Sequence, residues 1–524
     1  MINKYNPYPS FQAGQAEAIT QMLDLIDSGK KVIELNAPTA AGKSLDLFVL
    51  GRVLSMEYGM DKVIYTTPLV ALVNQLGSNE LFNKKMPVLK GKRNYPCLMG
   101  DENMPMWADD CPFDTFGDAL SACAQANRDK AALQGKRLAV DDERPCIDCP
   151  YQKDRVKFVV SPFGATTFDR YILDPSCWKN CEALFVDESA GLEKKLLNHS
   201  TLKLPEQVDT KRLQQSVAAY VDDLERQVES LNVDYANAKQ RANGNLFAPK
   251  VVRVRREIRH TEAEMRKCNK VLYHIEHEHP YIIDRERQFR LLLGKSEFER
   301  MSKDLKVVVL ASGTPTTRLL TDDYESVKIQ HPIAVDRRLV YYTPVGSMNW
   351  QSRNKTIPAM ADEIERLHAK YHKKTMVHCS VYAIAAAIYE KMSLAARKIT
   401  ILQADKTKRE HYKNYFLDAT GERIFLSIDF CEGLDLKGPD YPMNIIVKLP
   451  FENFKDDEFV AARNEMDGWM RYNTNTAVNV MQASGRCTRS PNDFSETYIL
   501  DESWRYFVRR NRKLLEPWFL AALR

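Results

Sequence analysis

The 524 residues contain no run near the roughly 20 consecutive apolar residues that a membrane span needs. The opening Met1-Ile2-Asn3-Lys4-Tyr5-Asn6-Pro7 lacks the apolar stretch and small-residue cleavage site of a signal peptide. Cysteine is sparse, 11 in the whole chain, which excludes the disulfide scaffold of a small secreted protein. Charge of one sign is also lacking. The 75 Lys and Arg against 70 Asp and Glu leave a net +5, which neither demands nor excludes a polyanionic partner. There is no low-complexity segment and no short-period repeat. With 44% hydrophobic residues the chain is apolar enough to fold, which excludes intrinsic disorder. The expectation is a soluble, cytoplasmic protein without membrane contact, in a reducing compartment, with two to four domains of roughly 100–200 residues each.

Short apolar runs rich in β-branched residues recur, each followed by a polar turn and a helical pattern. They are Lys31–Leu35, Lys62–Thr66, Ala183–Val186 and Lys306–Leu310 in the first half. In the second half they are Thr375–Cys379, Arg423–Ser427, Asn444–Lys448 and Thr497–Leu500. Buried runs alternating with helices predict an α/β fold with two parallel sheets. Two stretches break the rhythm. Residues 96–160 hold five of the 11 cysteines and little periodicity, and residues 191–300 are strand-poor and charged. Both read as insertions into the first α/β domain.

Ala37-Pro38-Thr39-Ala40-Ala41-Gly42-Lys43-Ser44 follows a strand and opens a helix. In that context backbone N–H groups cradle phosphates, the lysine reaches the β- and γ-phosphates, and the hydroxyl holds Mg²⁺. Ala37 and Ala40 stand where many such loops have glycine. An acidic pair at a strand end completes an ATP site. Asp187 and Glu188 supply it, the first for the metal shell and the second for the attacking water. Arg486 and Arg489, three apart, share a helix face and suit a γ-phosphate contact from a second domain.

The ordered set resembles a superfamily 2 helicase of the XPD/DinG-like iron–sulfur branch. Gln15 is similar to the adenine-reading glutamine of that family, and Ala37–Ser44, with Thr39, Ala41, Gly42, Lys43 and Ser44, to motif I. Thr66-Thr67-Pro68 resembles motif Ia, and Asp187-Glu188-Ser189-Ala190 a DEAH box whose last position departs. Ala311-Ser312-Gly313-Thr314 resembles the coupling motif "SAT", with Gly313 in place of alanine. Cys431–Leu436, with Gly433 and Asp435, is similar to motif V, and Gln482–Arg489 to motif VI. The resemblance implies two RecA-like parallel-sheet domains, the first interrupted by an Fe–S cluster insertion and a helical arch. The first RecA-like domain is expected at 1–95, 161–190 and 301–325, the cluster insertion at 96–160, the arch at 191–300 and the second domain at 326–524.

Cys97, Cys111 and the C-x-x-C pair Cys146 and Cys149 are the expected cluster ligands, with Cys123 as the spare. Soft thiolates suit either a [4Fe–4S] cluster, as the resemblance implies, or a structural Zn²⁺. Cys177, Cys181, Cys268, Cys379, Cys431 and Cys487 read as core residues. His274, His277 and His279 read as a solvated helix end rather than a metal site. Lys250, Arg253, Arg255, Arg256 and Arg259, and Lys84, Lys85, Lys90, Lys92 and Arg93, are candidate phosphate tracks, with Tyr95 and Trp107 as possible stacking residues. The expected function is an ATP- and Mg²⁺-dependent DNA helicase. It is expected to move 5′→3′ as a monomer on single-stranded and forked duplex DNA. The rivals are an RNA or RNA–DNA hybrid helicase, and an ATP-gated clamp with a degenerate motor.

Overall fold

The computed structural model describes residues 1–98, 105–111, 148–174, 180–405, 407–428, 436, 438–453, 460–461, 468–490 and 492–524. In chain order the first half contributes β1 (Val32–Asn36), β2 (Val63–Thr67), β3 (Val88–Leu89), β4 (Phe163–Thr167) and β5 (Ala183–Asp187). There follow β6 (Leu202–Lys203), β7 (Tyr281–Ile283), β8 (Gln288–Leu291), β9 (Val307–Ser312) and β10 (Glu325–Lys328). The second half contributes β11 (Val340–Gly346), β12 (Lys374–His378), β13 (Thr400–Leu402), β14 (Arg423–Ser427), β15 (Met443–Ile446) and β16 (Glu496–Asp501).

Two all-parallel sheets result, as the sequence predicts. The first has the order β10-β1-β9-β5-β2-β4-β3 and the second β11-β16-β15-β12-β14-β13. The central strands are apolar throughout because both faces are covered. In β9, Val307, Val309 and Ala311 join one core, while Val308 and Leu310 join the other. In β5, Ala183 and Phe185 point one way and Leu184 and Val186 the other. This is the two-residue period of a strand expressed inside an uninterrupted apolar run. β10 pairs with β1 in the first sheet and straddles the boundary expected at residues 325/326.

Most of 191–300 is helical, but the stretch is not strand-free. β6, β8 and β7 form an antiparallel sheet at the base of the helix pair Leu213–Arg241 and Pro249–Glu276. Leu213, Val217, Val221 and Leu224 meet Cys268, Val271 and Phe289 there in a separate core. The reading of a solvated helix end at His274 is corrected, because His274 is fully buried. Its Nε2 lies 3.2 Å from Glu297 and its Nδ1 2.9 Å from Nδ1 of His279. Glu297, itself 1% exposed, also meets Lys270 at 2.5 Å and Arg300 at 2.8 Å.

Burial opposes the Glu297 charge, but the bonds from His274 and Arg300 and the Lys270 charge outweigh it, so its carboxyl is held well below the usual range. The stabilisation is therefore complete above the ordinary glutamate pKa and is lost as the pH falls. Glu297→Gln leaves two cations facing each other around a neutral amide. It is expected to cost about 3 kcal/mol, near the low end for a broken buried ion pair because Lys270 and Arg300 keep some contact with solvent. Denaturant unfolding at neutral pH measures this, and the difference from wild type should shrink in acid.

Candidate functional site

The carboxyl ends of three neighbouring strands build the site. β9 lies between β1 and β5, and the pairing places Ser312 beside Asn36 and Ala311 beside Asp187. The loop after β1 and the acidic pair after β5 therefore open on the same sheet edge. Helix Lys43–Met56 starts at the end of that loop. Gly42, at a φ of 81°, makes the turn into it, and a Cβ there would stand 2.5 Å from the Gln15 amide nitrogen. Gln15 is fully buried, and its amide donates to the carbonyls of Ala41 and Gly42 at 3.2 Å each. Its side-chain oxygen accepts the Gln12 N–H at 2.8 Å. Gln15 thus clamps the loop backbone.

Ala40 adopts a φ of 67°, a left-handed conformation that costs an L-residue about 1–2 kcal/mol. Ala40→Gly is expected to raise stability by about 1 kcal/mol, measured by denaturant unfolding, because the loop already has the shape glycine prefers.

Lys43 Nζ lies 3.1 Å from Glu188 Oε1. Ser44 Oγ lies 3.5 Å from Asp187 Oδ2, which also accepts the Tyr65 hydroxyl at 2.5 Å. Glu188 is half-buried at a φ of 52°, a turn that swings its side chain back toward Lys43. Burial works against its charge, but Lys43, Arg486 and Arg489 outweigh it and hold the carboxyl below the usual range. Asp187 is pushed up by burial and by the neighbouring Glu188 charge. Burial pushes the Asp46 carboxyl, one turn into the helix, up to about 8. A cavity of about 530 Å³ opens beside these groups, lined by Tyr8, Gln12, Gln15, Gly42, Ser44 and Asp187 among others. The donor set of Ser44 and Asp187 suits a hard divalent cation, and the loop amides with Lys43 suit phosphate.

The second domain reaches this edge through helix Gly468–Ser484 and the turn after it. Gln482 Nε2 donates to Thr314 Oγ1 at 3.1 Å. A Cβ on Gly485 would sit 3.6 Å from Thr39 Oγ1, so the phosphate loop and the arginine turn face each other directly. Asp493 accepts the backbone N–H groups of Arg489 and Ser490 at 2.8 Å each, which fixes that turn. Gly433 and Asp435 lie outside the described residues.

Sequence reasoning missed a strap at the C-terminus. Asn36, immediately before the loop, donates to Glu516 at 2.7 Å, and the Trp518 indole N–H donates to the Gly313 carbonyl at 3.1 Å. No motif marks these residues, because each acts only through a partner hundreds of positions away. Gly313 also lets the loop approach. A Cβ there would be 3.2 Å from both the Ala37 oxygen and Pro38 Cα.

Cys97, Cys111 and Cys149 are described, while Cys123 and Cys146 lie outside the described residues. Pro96 bridges Trp107, and the Cys97 N–H donates to Met106 O at 2.9 Å, closing a small hairpin. Cys111 follows the turn Ala108–Asp110, and Cys149 precedes helix Pro150–Val160. Burial pushes the Cys149 thiol up, and the charge of Cys111 adds to the effect, so these two sulfurs feel each other. Among the described residues no group of three or more His, Cys, Asp or Glu side chains converges as a metal site. The edges of this insertion do not lack a core, since Tyr95, Ala108, Tyr151 and Phe158 pack into the first domain. Cys181, Cys268, Cys379 and Cys487 are buried as expected, and Cys177 and Cys431 lie outside the described residues.

The phosphate-track reading needs revision in the arch. Arg256 makes paired bonds to Asp110 at 2.6 and 2.8 Å. Arg255 donates to Asp110 O at 2.5 Å and Arg259 to Cys111 O at 3.3 Å. These three arginines dock the arch helix on the cysteine hairpin, whereas Lys250 and Arg253 stay exposed. Tyr95 is likewise committed, buried with its hydroxyl on Asp154 at 2.9 Å, while Trp107 is 44% exposed.

Residues 364–521 match the helicase C-terminal domain family. Among solved structures, Xpd4 of S. tokodaii superimposes with a TM-score of 0.54 at 14% identity, over 96% of this chain and 99% of that one. An XPD helicase superimposes with a TM-score of 0.57 at 13% identity, over 97% and 99%. No curated protein matches this sequence. At these identities the likeness is one of fold, and it bears out the two RecA-like parallel-sheet domains read from the motifs. Among the described residues no helix is long and apolar enough to cross a membrane.

Proposed function

We propose that the chain is an ATP-dependent DNA helicase that moves along single-stranded DNA in the 5′→3′ direction. The observation that carries this reading is the meeting of two charge sets across the domain boundary. Lys43, Asp187 and Glu188 belong to the first domain, and the turn that carries Arg486 and Arg489 meets it from the second, with Gln482 on Thr314 and Gly485 against Thr39. The loop amides and Lys43 bind the phosphates of ATP. Ser44 and Asp187 would hold Mg²⁺, which when bound would supply positive charge beside the phosphates. Glu188, kept ionised, accepts the proton of the attacking water. Gln482, Arg486 and Arg489 complete the site when the domains close, and Gly433 and Asp435 are assigned to the same cleft by the motif resemblance.

Gln15 acts through the loop it clamps, which leaves Gln12 and Tyr8 facing the base pocket. Closing and opening are transmitted through Thr314–Gln482 and Gly313–Trp518. Gly313 and Ala40 are the departures that favour a clamp, yet both are accommodated. One makes room for the loop, and the other sits in a conformation the loop requires.

Cys97, Cys111, Cys146 and Cys149 are assigned to a [4Fe–4S] cluster, with Zn²⁺ as the alternative. Such a group would supply cross-links to an insertion whose described edges pack into the first domain. The protein is expected to act as a cytoplasmic monomer on single strands and forked duplexes. Unwinding of DNA forks bearing a single 5′ or 3′ tail tests the function, with separation expected only from the 5′ tail. Separation only from a 3′ tail, or only of RNA-tailed substrates, rejects it. Anaerobically purified protein should absorb broadly in the visible blue. Cys149→Ser should bleach that band and Cys123→Ser should not, while a colourless zinc-loaded protein would replace the cluster with zinc.

A further inference from the structure

Trp350 is 79% exposed, more than any other large apolar side chain among the described residues. It lies between β11 and helix Arg353–His368, on a turn whose shape is fixed from both sides. Met348, two residues earlier, is 1% exposed and anchors the turn in the core. Asn349 Oδ1 accepts the Ser352 N–H at 2.9 Å, and its carbonyl accepts the Arg353 N–H at 3.0 Å. Thr356 donates to the Ser347 carbonyl at 3.1 Å. The indole is thus held out into solvent by an ordered turn.

A cation stands over it. The Arg353 guanidinium stands 4.0 Å from the ring centroid. Lys448, just beyond β15, is half-buried with its Nζ donating to the Leu449 carbonyl at 3.3 Å, and burial and the Arg353 charge pull its pKa down against the Asp501 carboxylate. The Lys448 carbonyl accepts the Ser380 hydroxyl at 3.0 Å, and Ser380, just beyond β12, has a φ of 61°. Because β11, β12 and β15 are parallel, these residues share the carboxyl edge of the second sheet. Neither Arg353 nor Lys448 makes an ion pair among the described residues. A stacking ring under a guanidinium, on a sheet edge that carries a second cation with no carboxylate partner, matches the repeat of a single nucleic-acid strand, a base followed by a phosphate.

Resting on the helicase reading above, we infer that Trp350 stacks on a base of the translocating strand and that Arg353 and Lys448 hold the adjacent phosphates. The test measures affinity of the full-length protein for two fluorescent oligonucleotides, one of dT and one with the same backbone but abasic sites throughout. Trp350→Ala should weaken dT binding about tenfold, within the range for loss of one aromatic–base stack. It should leave abasic binding unchanged, and Trp350→Phe should restore most of the affinity. Arg353→Gln with Lys448→Gln should weaken both oligonucleotides and reduce the salt dependence by about two phosphate contacts. Unchanged thermal unfolding of Trp350→Ala separates the effect from misfolding. Equal affinity of Trp350→Ala and wild type for dT, or equal losses on both strands, overturns the stacking site. Failure of wild type itself to bind dT overturns the helicase reading instead.

Discussion

Arg489→Ala is expected to lower ATP turnover by about 10³-fold while changing nucleotide affinity little. The Arg489 charge acts on both Lys43 and Glu188, and the proposed function places it over the γ-phosphate and its attacking water. A cation delivered there from a second domain stabilises charge that develops only in the transition state, and such arginines contribute about 10³–10⁵ in rate. The backbone of this turn is held by Asp493, so truncating the side chain leaves the turn in place. Single-turnover hydrolysis with saturating ATP measures the loss. A fall of less than about tenfold would mean that Arg489 only neutralises the cleft.

Glu188→Gln should be nearly as severe for a different reason. The amide keeps the shape and can still meet Lys43, but it cannot take a proton from water. Loss of a positioned general base costs about 10²–10⁴. ATP binding should survive or tighten, because Lys43 no longer shares its charge with a carboxylate. Binding of a fluorescent ATP analogue, compared with turnover in the same preparation, separates the two effects. Retained turnover would move the base to another residue.

Much of the frame was legible because it rests on local physics. Val307–Leu310 and Ala183–Val186 are apolar on both faces, and only a strand covered on both sides tolerates that. β4, with Phe163-Gly164-Ala165-Thr166-Thr167, was invisible because it contains no aliphatic run, although it is wholly buried. β10 was hidden for the opposite reason, as an edge strand with one buried residue. The phosphate loop, acid pair and arginine turn were readable because phosphate chemistry dictates residue types at fixed spacing. What paired with them was not. Glu516 and Trp518 couple the end of the chain to Asn36 and Gly313, and nothing local distinguishes them from other surface residues. The same holds for Arg255, Arg256 and Arg259. Their spacing suggested a track for DNA, but Asp110 and the hairpin carbonyls take them instead. Charge runs report where cations are, and only the fold reports what they face.

Coupling of the ATP cycle to a single strand is what makes such a chain a motor, and steady-state ATP hydrolysis with and without single-stranded DNA measures that coupling. Basal turnover should be slow and rise strongly when the strand is added, and Lys43→Ala should show no turnover under either condition although it still binds the strand. Turnover indifferent to the strand, or near-normal hydrolysis in Lys43→Ala, would contradict it.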